Sequence, residues 1–360
     1  MREASFSTSN PPNSLCLLRT SALGDATHVV PLVRTLQTHW PQTRLTWIVG
    51  KLEHKLVGDI AGVEFIVADK AAGWRGFSAV RKQLRGCHFD VLLHLQVALR
   101  ANLLSTLVRA PLRIGYDHAR SKDLHGLFIN HRIAARSGDH VLDAMASFLE
   151  PLGLHQSQVR WNIPIPDSAR EFAARHLPGD EPTLLVSPCS SHALRNWNVP
   201  GYAAVIDHAA TKLGWRVALC GGRSAYEREF GDAILDKATH KPIDLIGKDT
   251  LKQFLALASR ARAVLTPDSG PMHMANAVGA PVIGLHAPSN PDRSGPYSDR
   301  RWCVDRYDAA ARKFRGKPAA ELPWGTKLEY PGAMDLIETE AVIERLDALT
   351  KSAVPEHRAE

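Results

Sequence analysis

Short apolar runs alternate with longer segments of helical periodicity along almost the whole chain, and this alternation is the strongest constraint on its fold. The first half contains four such runs, SLCLLR (14–19), RLTWIVG (44–50), VEFIVAD (63–69) and DVLLHLQ (90–96). The second half contains five, TLLVSPC (183–189), WRVALCGG (215–222), PIDLIG (242–247), RAVLTP (262–267) and APVIGLHA (280–287). Apolar strands separated by helices are typical of parallel sheets covered by helices. We therefore predict an α/β protein.

The segments between these runs have apolar residues at helical spacing. In GFSAVRKQLRG (76–86), Phe77, Val80 and Leu84 fall on one helical face. Further helices are predicted at 201–214, 226–238, 251–261 and 271–279. The 360 residues exceed one ordinary core and suit two domains. Residues 161–182, with proline and glycine near their end, are the predicted bridge.

Cysteine content and hydropathy argue against several classes of protein. The five cysteines are far apart and form no C-x-x-C pair, so neither a disulfide framework nor a zinc site is expected. Cys16 and Cys220 lie in apolar runs and are predicted to be core residues. No apolar run reaches the roughly 18 residues of a membrane span. Residues 1–14 lack the apolar core of a signal peptide, and we expect a short disordered lead there.

The formal charge of +7 is unevenly distributed. Residues 1–136 hold 18 Lys and Arg against 9 Asp and Glu, whereas the remainder is slightly acidic. A basic first half indicates an anionic partner. Charge alone leaves open nucleic acid, an anionic membrane surface and a phosphorylated or carboxylated substrate. A solvated basic face without a partner is the simpler alternative.

Loops that follow strands are the candidate sites, because ligands of open parallel sheets bind at the carboxyl ends of the strands. The first such loop is TSALGDATH (20–28). Gly24 permits a tight turn, and Asp25 falls at or near the first turn of the next helix. An aspartate there acts as a helix cap worth about 1 kcal/mol. The local sequence by itself favours this cap over a catalytic role.

Two loops of the second half carry side chains suited to a nucleotide. SPCSSHALRNW (187–197) offers the hydroxyls of Ser190 and Ser191 and the guanidinium of Arg195, which suit a diphosphate. An ordinary polar loop is the alternative. CGGRSAYERE (220–229) places Glu227 early in a helix, where a carboxylate suits either ribose hydroxyls or the helix dipole.

The stretch from 266 to 297 is the most informative one. Asp268, Ser269 and Gly270 form a small-residue loop before a predicted helix, and loop and helix N–H groups in that arrangement bind anions. His273 lies in the first turn and faces the same side. A structural histidine is the alternative there.

Several expected motifs are missing. No G-x-G-x-x-G follows the first strand and no G-x-x-x-x-G-K-[ST] occurs, which argues against a nicotinamide enzyme and a P-loop. No D-x-D occurs, which argues against a metal-held sugar nucleotide. No aromatic-rich ribonucleoprotein motif accompanies the basic half, so nucleic acid is not an expected partner.

Two long segments together resemble a known family. LCLLRTSALGDATHVVPLVRTLQTHWP (15–41) and TPDSGPMHMANAVGAPVIGLHAPSNPDRSGPY (266–297) are similar to the paired signatures of the ADP-heptose:lipopolysaccharide heptosyltransferases, glycosyltransferase family 9. Order and separation match, and the strand pattern covers nearly the whole chain. LTWIVGK (45–51), SPCSSHALRNW (187–197) and ELPWGTKL (321–328) resemble a heptosyltransferase I branch in which the acceptor Kdo is phosphorylated.

The resemblance implies a GT-B fold, with two Rossmann-like parallel-sheet domains facing a cleft. Residues 1–165 would form the acceptor-binding domain with the catalytic base, and residues 166–335 the domain that binds the nucleotide sugar. Residues 336–360 would form a C-terminal helix that packs back on the first domain.

The resemblance also implies an activity, namely transfer of heptose from ADP-heptose to Kdo-lipid A with inversion and without metal or cofactor. It makes Asp25 the general base, which reverses the preference for a cap. The residues implied to bind the donor are Ser190, Ser191, Arg195, Glu227, Asp249, Asp268, Ser269, Gly270 and His273. Arg195 stands where many family members carry lysine, so its phosphate contact is expected to be bidentate.

For the acceptor, the resemblance implies a basic surface in the first domain. Its implied residues are Gly24, Lys70, Arg75, Arg81, Lys82, Arg120 and Lys122. Their charges would bind Kdo carboxylates or phosphates. They would also draw a cytoplasmic protein to the anionic inner face of the inner membrane as a peripheral partner.

Three alternatives remain at this point. The first is a family 9 transferase with another donor or acceptor, such as a second heptose. The second is a GT-B-like sugar-nucleotide 2-epimerase, which would form product without an acceptor. The third is a catalytically silent scaffold that binds nucleic acid or anionic lipid through the basic half.

Overall fold

The computed structural model describes residues 6–352 and divides the chain into two compact units, Met1–Pro164 and Ile165–Glu360. Across the described residues, each unit contains one parallel sheet of six strands. The predicted α/β class is therefore confirmed. The division falls one residue before the one expected from the sequence.

In the first unit, the strand order is β3-β2-β1-β4-β5-β6. The strands are β1 (Ser14–Arg19), β2 (Arg44–Gly50), β3 (Val63–Ala68), β4 (Val91–His94), β5 (Leu112–Gly115) and β6 (His131–Arg132). The helices are α1 (Leu23–His39), α2 (Lys51–Val57), α3 (Gly73–Gln83), α4 (Leu99–Ser105) and α5 (Val141–Ala146).

In the second unit, the strand order is β12-β11-β10-β7-β8-β9. The strands are β7 (Thr183–Val186), β8 (Arg216–Leu219), β9 (Ile243–Asp244), β10 (Ala263–Pro267), β11 (Val282–His286) and β12 (Val304–Asp305). The helices are α6 (Asp167–His176), α7 (Val199–Thr211), α8 (Ala225–Lys237), α9 (Leu251–Arg260), α10 (Gly270–Ala277), α11 (Pro291–Ser294), α12 (Tyr307–Arg315) and α13 (Thr339–Thr350).

The two sheets share one topology. Numbered from its own first strand, each unit has the order 3-2-1-4-5-6, which is the Rossmann arrangement. The central strands are apolar and buried on both faces; Leu15, Leu17 and Leu18 of β1 are each 0% exposed. Continuous apolar runs are the signature of such strands, and this is why the sequence located them.

Most predicted elements agree with the structure, and the strands that were missed are short. The face of α3 predicted from Phe77, Val80 and Leu84 is confirmed, because Val80 and Leu84 are buried and Phe77 packs against the same core. The sequence prediction did not include β5, β6 and β12, which have two to four residues. Runs of that length carry too few side chains to show a period.

Cys16 and Cys220 are buried in the cores of their units, as predicted. All five cysteines are free thiols. No helix within residues 6–352 is long and apolar enough to cross a membrane.

The expectation of a disordered N-terminal lead is wrong for residues 6–13. The indole N–H of Trp40 donates to the carbonyl oxygen of Ser7 at 3.1 Å, and the hydroxyl of Thr43 donates to that of Pro12 at 2.7 Å. These bonds fix the segment against the end of α1 and the start of β2. Residues 1–5, which the same expectation covered, lie outside the described residues.

The expectation that the C-terminal helix packs back on the first domain is corrected by the structure. Helix α13 is part of the core of the second unit, where Val342, Leu346 and Leu349 are each 0% exposed. It packs along α7, and the imidazole Nε2 of His208 lies 2.7 Å from the Asp347 carboxylate. Residues 353–360 of the predicted segment lie outside the described residues.

A buried polar network links β4 and α4 of the first unit to the turn after β5. The amide oxygen of Asn102 lies 2.9 Å from Nε2 of His94 and 2.8 Å from Nδ1 of His125. Because that oxygen can only accept, both ring nitrogens donate to it. Nε2 of His125 accepts from the backbone N–H of Tyr116 at 3.2 Å. Burial lowers the pKa of His94 to about 3 and that of His125 to about 4, so both rings are neutral.

This network predicts that acid destabilises the protein. Between the ordinary histidine pKa of 6.5 and the lowered folded value, the unfolded chain binds a proton that folded His94 does not. The contribution of His94 to the free energy of unfolding is therefore intact above pH 6.5. It is lost as the pH falls, at up to about 1.4 kcal/mol per pH unit. The measurement is the free energy of unfolding in urea at several pH values. In His94→Gln, the amide N–H can still donate to Asn102. The free energy of unfolding should then change less steeply with pH, by the contribution of about one proton. An equal slope in both proteins would contradict this account.

Candidate functional site

Asp25, Ser190 and Asp268 lie at the points of the two sheets where the strand order reverses. Asp25 follows β1, which lies between β2 and β4. In the second unit, the loop carrying Ser190 follows β7, and Asp268 follows the adjacent strand β10. Connections leave the two central strands toward opposite faces, which opens a crevice at their carboxyl ends. The topology therefore brings each group of predicted residues to a ligand-binding position of its own unit.

Asp25 is the third residue of α1 and is held by two groups. Its Oδ2 accepts the backbone N–H of Ala22 at 3.1 Å and forms an ion pair with Nη2 of Arg19. The first contact is half of a capping box; Ala22, at the N-cap, has no side-chain acceptor to complete it. Gly24 is buried beside it in the first turn of the helix. Asp25 thus caps its helix, and its side chain remains 27% exposed.

A second carboxyl group, that of Glu53 at the start of α2, lies near Asp25. Glu53 is 5% exposed, and burial raises its pKa. The charges of Lys70, Arg19 and Asp25 all act on it. A Cβ on Gly50 would lie 2.1 Å from the backbone oxygen of Thr20 and 2.2 Å from Oε2 of Glu53, so glycine is needed where β2 ends. Three neighbouring strands therefore deliver charged groups to one edge of the sheet.

The predicted acceptor residues are only partly brought together. Lys70 and Arg75 are exposed where β3 ends and α3 begins, on the same edge as Asp25. Arg81 and Lys82 lie in the last turn of α3, roughly 9 Å or more further along the helix axis at 1.5 Å per residue. Their charges suit the helix dipole at that end.

Arg120 and Lys122 follow β5 in a loop. Arg120 forms an ion pair with Asp117 and lies 3.6 Å from Asp139, so its charge is already neutralised within the unit. Lys122 is exposed. Arg120 therefore stabilises its own loop, whereas Lys122 is exposed to solvent.

Asp268 is the centre of the site in the second unit. It is 6% exposed, and Nζ of Lys327 lies 3.1 Å from its Oδ2. Nη1 of Arg195 lies 3.8 Å from the same oxygen, and Nε2 of His273 lies 4.0 Å from Oδ1. Burial alone would raise the pKa of Asp268, but the nearby cations, Lys327 first, hold it well below its usual range. The carboxylate is therefore ionised and gathers positive charge around the start of α10.

Arg195 is fixed from a second side. Its Nε donates to Oε1 of Glu329 at 2.7 Å, and its Nη2 lies 2.6 Å from that oxygen. Two nitrogens of the guanidinium thus already face a carboxylate. The bidentate phosphate contact expected from the sequence would require Glu329 to move, and Nη1 is the nitrogen directed toward Asp268.

Lys327 is held in a strap formed by residues 323–330, in which Leu328 is the buried residue. The backbone N–H of Leu328 donates to the carbonyl oxygen of Pro288 at 2.8 Å, and the Tyr307 hydroxyl donates to that of Thr326 at 2.9 Å. Gly325 has φ +90°, and a Cβ there would lie 2.8 Å from Nε of Arg293. Burial lowers the pKa of Lys327, an effect that Asp268 opposes.

The N-terminus of α10 is open. Ser269 is its N-cap, but the hydroxyl lies 2.9 Å from that of Thr266 and caps no helix N–H. Gly270 and Pro271 form the first turn. The uncapped start of α10 directly follows Asp268, which Arg195 and Lys327 approach, and a helix N-terminus beside cations suits an anion.

Glu227 and Asp249 lie on the other side of this crevice, after β8 and β9. A Cβ on Gly222 would lie 2.4 Å from Oε2 of Glu227, so the glycine makes room for this carboxyl. Oε2 is buried, and within the described residues it has no hydrogen-bond partner. Burial raises the pKa of Glu227 and raises that of Asp249 to about 7. A buried acceptor without a donor is suited to a ligand hydroxyl.

The two serines after β7 differ. The Ser190 hydroxyl donates to the carbonyl oxygen of His192 at 2.8 Å and accepts its N–H at 3.1 Å, so it shapes the loop. Ser191 is exposed at the tip. Their role toward a ligand stays a prediction.

Four charged residues of these sites were missed by sequence reasoning, namely Arg19, Glu53, Lys327 and Glu329. Arg19 ends a predicted strand, and its partner six positions later could be identified only from the turn geometry. Lys327 lies in ELPWGTKL and Glu329 lies next to it. That segment was noted only for its resemblance to the family, and no site residue was predicted in it. No local period signals a strap whose position depends on distant contacts.

Two Rossmann-type units, one with a cationic pocket at a helix N-terminus and a facing carboxyl group, define a class of nucleotide-binding α/β enzymes. Residues 77–324 match the model of glycosyltransferase family 9 (heptosyltransferase). The chain is 40% identical over 338 residues to the lipopolysaccharide core heptosyltransferase OpsX of Haemophilus influenzae, covering 94% of this chain and 97% of OpsX. The chain belongs to glycosyltransferase family 9, and the resemblance found in its two motifs is confirmed at that level.

Solved structures agree on the fold. A family 9 glycosyl transferase from Veillonella parvula has a TM-score of 0.76 at 23% identity, over 94% of this chain and 97% of that one. The Escherichia coli heptosyltransferase WaaC with ADP has a TM-score of 0.71 at 18% identity, over 93% and 99%. These likenesses support the GT-B class of fold predicted from the sequence.

Asp268→Asn should destabilise the protein, because the amide leaves Lys327 and Arg195 as neighbouring, half-buried cations without their shared carboxylate. Breaking a buried ion pair in this way costs about 3–5 kcal/mol. The measurement is the free energy of unfolding in urea at pH 7. Asp308→Asn is the matched control, since Asp308 pairs with Arg312 at 2.7 Å on the surface, where such pairs contribute about 0–1 kcal/mol. Equal effects of the two substitutions would show that Asp268 is not the centre of the cluster.

Proposed function

We propose that this protein transfers heptose from ADP-L-glycero-D-manno-heptose to the Kdo of Kdo-lipid A during synthesis of the lipopolysaccharide inner core. One observation supports this above the others. Arg195 and Lys327 converge on buried Asp268 beside the open N-terminus of α10. This is a preformed site for a diphosphate, in a chain whose relative OpsX is described as a core heptosyltransferase.

In this proposal, the second unit binds the donor. The diphosphate lies against the N–H groups of α10, with Lys327 and Arg195 neutralising its charge as it leaves. Asp268 does not contact phosphate, because two anions would repel; it positions the two cations. The buried Oε2 of Glu227 accepts a ribose hydroxyl, and Asp249 lies nearby. His273, Ser190 and Ser191 complete the donor side.

The first unit binds the acceptor, with Asp25 as the base. Within the described residues, both contacts of its carboxylate are made through Oδ2, which leaves Oδ1 to take the proton. Oδ1 removes the proton from an acceptor hydroxyl, and the oxygen of that hydroxyl attacks the anomeric carbon of heptose. The bond from this carbon to the diphosphate oxygen breaks, ADP leaves, and the configuration inverts. Protein cations and helix N–H groups supply the charge stabilisation, so the reaction is proposed to be metal-independent.

Exposed basic residues would bind the anionic acceptor. Lys70 and Arg75 lie on the Asp25 edge of the sheet and are the first candidates; Arg81, Lys82 and Lys122 lie further away. Arg120 is proposed to act on the acceptor only through its loop, because its charge is paired. The same surface would hold the protein peripherally on the cytoplasmic face of the inner membrane.

Asp25→Asn should lower the rate of heptose transfer by about 10² or more, the contribution of a positioned base. The amide oxygen can still accept the N–H of Ala22, so the helix cap is retained and the loss reports on proton transfer. The measurement is ADP release from ADP-heptose with Kdo-lipid A, phosphorylated on Kdo or not. The wild-type preference between the two decides which acceptor is used.

Other outcomes of that assay would redirect the proposal. Near-full activity of Asp25→Asn would make Asp25 a cap and place the base elsewhere. Conversion of the nucleotide sugar into an epimeric nucleotide sugar without acceptor would favour an epimerase. Inactivity of the wild type with both acceptors would indicate another donor or acceptor within the family.

Lys327→Met should raise the KM for ADP-heptose by about 10- to 100-fold, the value of a charged hydrogen bond to the diphosphate. Lys241→Met is the matched control, because Lys241 belongs to the same unit but lies before β9, where its Nζ donates to the carbonyl oxygen of Ala238 at 2.8 Å. The measurement is initial rate against donor concentration at saturating acceptor. An unchanged KM in Lys327→Met would remove Lys327 from the donor site.

A further inference from the structure

An apolar groove lies between α3 and α4 of the first unit and has no role in the proposed chemistry. Its volume is about 310 Å³, and its apolar lining comes mainly from Ala68, Trp74, Phe77, Leu103 and Leu104. Glycine helps to shape it. A Cβ on Gly76 would lie 2.3 Å from the carbonyl oxygen of Asp69, so this glycine lets α3 begin close to the end of β3. We call this feature the α3–α4 groove.

The α3–α4 groove leaves large apolar side chains in water. Trp74 is 83% exposed, Leu103 is 45% exposed, and Leu99, one helical turn before Leu103, is 49% exposed. Single exposed leucines are ordinary on protein surfaces. Trp74 and Leu103 line the concavity, and Leu99 continues the exposed apolar face of α4; together they form a patch of the kind that binds an apolar partner.

Positive charge lines the rim of the groove. The guanidinium of Arg100 donates to the carbonyl oxygen of Lys70 at 2.7 Å and to that of Asp69 at 3.3 Å. These bonds tie α4 to the segment after β3 and fix a cation at the groove. Lys70 and Arg75 are exposed and directly follow the lining residues Asp69 and Trp74 in the chain. Apolar walls below a cationic rim complement a molecule with an anionic head and an apolar tail.

The position of the groove matches that of the base. The groove lies at the carboxyl ends of β3 and β4, and Asp25 lies at the carboxyl end of β1, which pairs with β4. Lys70 acts electrostatically on Glu53, and so does Asp25. The proposed base, the basic residues after β3 and the groove thus all belong to the same edge of the sheet.

We propose that the α3–α4 groove binds part of one acyl chain of the lipid acceptor, with Lys70, Arg75 and Arg100 holding the anionic groups above it. This rests on the proposed function for the identity of the acceptor. The groove volume is at the lower end of ordinary ligand sites. It suits one chain segment rather than a whole lipid or a partner helix. The groove then selects acylated acceptors and orients their sugar toward Asp25.

The first experiment tests the groove itself. Dodecyl phosphate, kept below its micelle concentration, is titrated into the protein by calorimetry. Wild type should bind it, and Leu103→Glu should weaken binding by about tenfold or more, because a carboxylate enters the apolar site and repels the head. Leu127→Glu is the matched control, since Leu127 is 78% exposed in the same unit but outside the groove. Absence of binding to wild type, or equal loss in both variants, would overturn the proposal.

The second experiment connects the groove to catalysis. The KM of Kdo-lipid A is compared with that of its fully deacylated form in wild type, Leu103→Glu and Leu127→Glu. In Leu103→Glu the ratio of the two KM values should shift by about tenfold against the acylated acceptor. An unchanged ratio with normal wild-type turnover would overturn the acyl-chain assignment. Loss of dodecyl phosphate binding in Leu103→Glu, in a protein that transfers no heptose to either acceptor, would keep the groove and reject the proposed function.

Discussion

The buried carboxylate of Asp268 is the interaction on which the second unit's site depends. It draws Lys327 and Arg195, from two segments far apart in the chain, to the start of α10. Without it, two cations and a helix N-terminus would repel one another in a half-buried pocket. The carboxylate thus makes a concentrated positive site stable before any diphosphate arrives. An aspartate inside a proposed anion site is otherwise difficult to explain.

The same topology in the two units produces different sites because different side chains follow the central strands. In the second unit, a short loop and α10 present N–H groups, and Arg195 and Lys327 add cations from other segments. In the first unit, Asp25 lies in the first turn of α1 and caps that helix, and Arg19 forms an ion pair with its carboxylate. Capping and catalysis, which the sequence posed as alternatives, are compatible here, because the cap is made through one oxygen of the carboxylate. The proposed base is therefore also its own positioning device.

Much of the fold was predictable because buried parallel strands are continuous apolar runs, and such runs need no partner to be recognised. The class and the cores around Cys16 and Cys220 follow from that rule. The edge strands β6, β9 and β12 have two residues each. Segments this short are recognised as strands only from their hydrogen bonds to the neighbouring strand. Helix α13 was placed in the wrong unit because its apolar face fits any complementary core, and only packing against α7 selects one.

The sequence by itself determined two parallel-sheet units, the family, and the motifs that carry Asp25, Asp268 and the loop before α10. Strand periodicity and motif spacing are local properties, so they survive in a one-dimensional string. The tertiary structure alone decided that Lys327 and Glu329 join Arg195, that Arg120 is neutralised by Asp117, and that Trp74 and Leu103 border an open groove. Charge neutralisation and exposure depend on which distant segments contact each other in the folded chain. The energies of those contacts depend on burial and distance and not on spacing in the sequence.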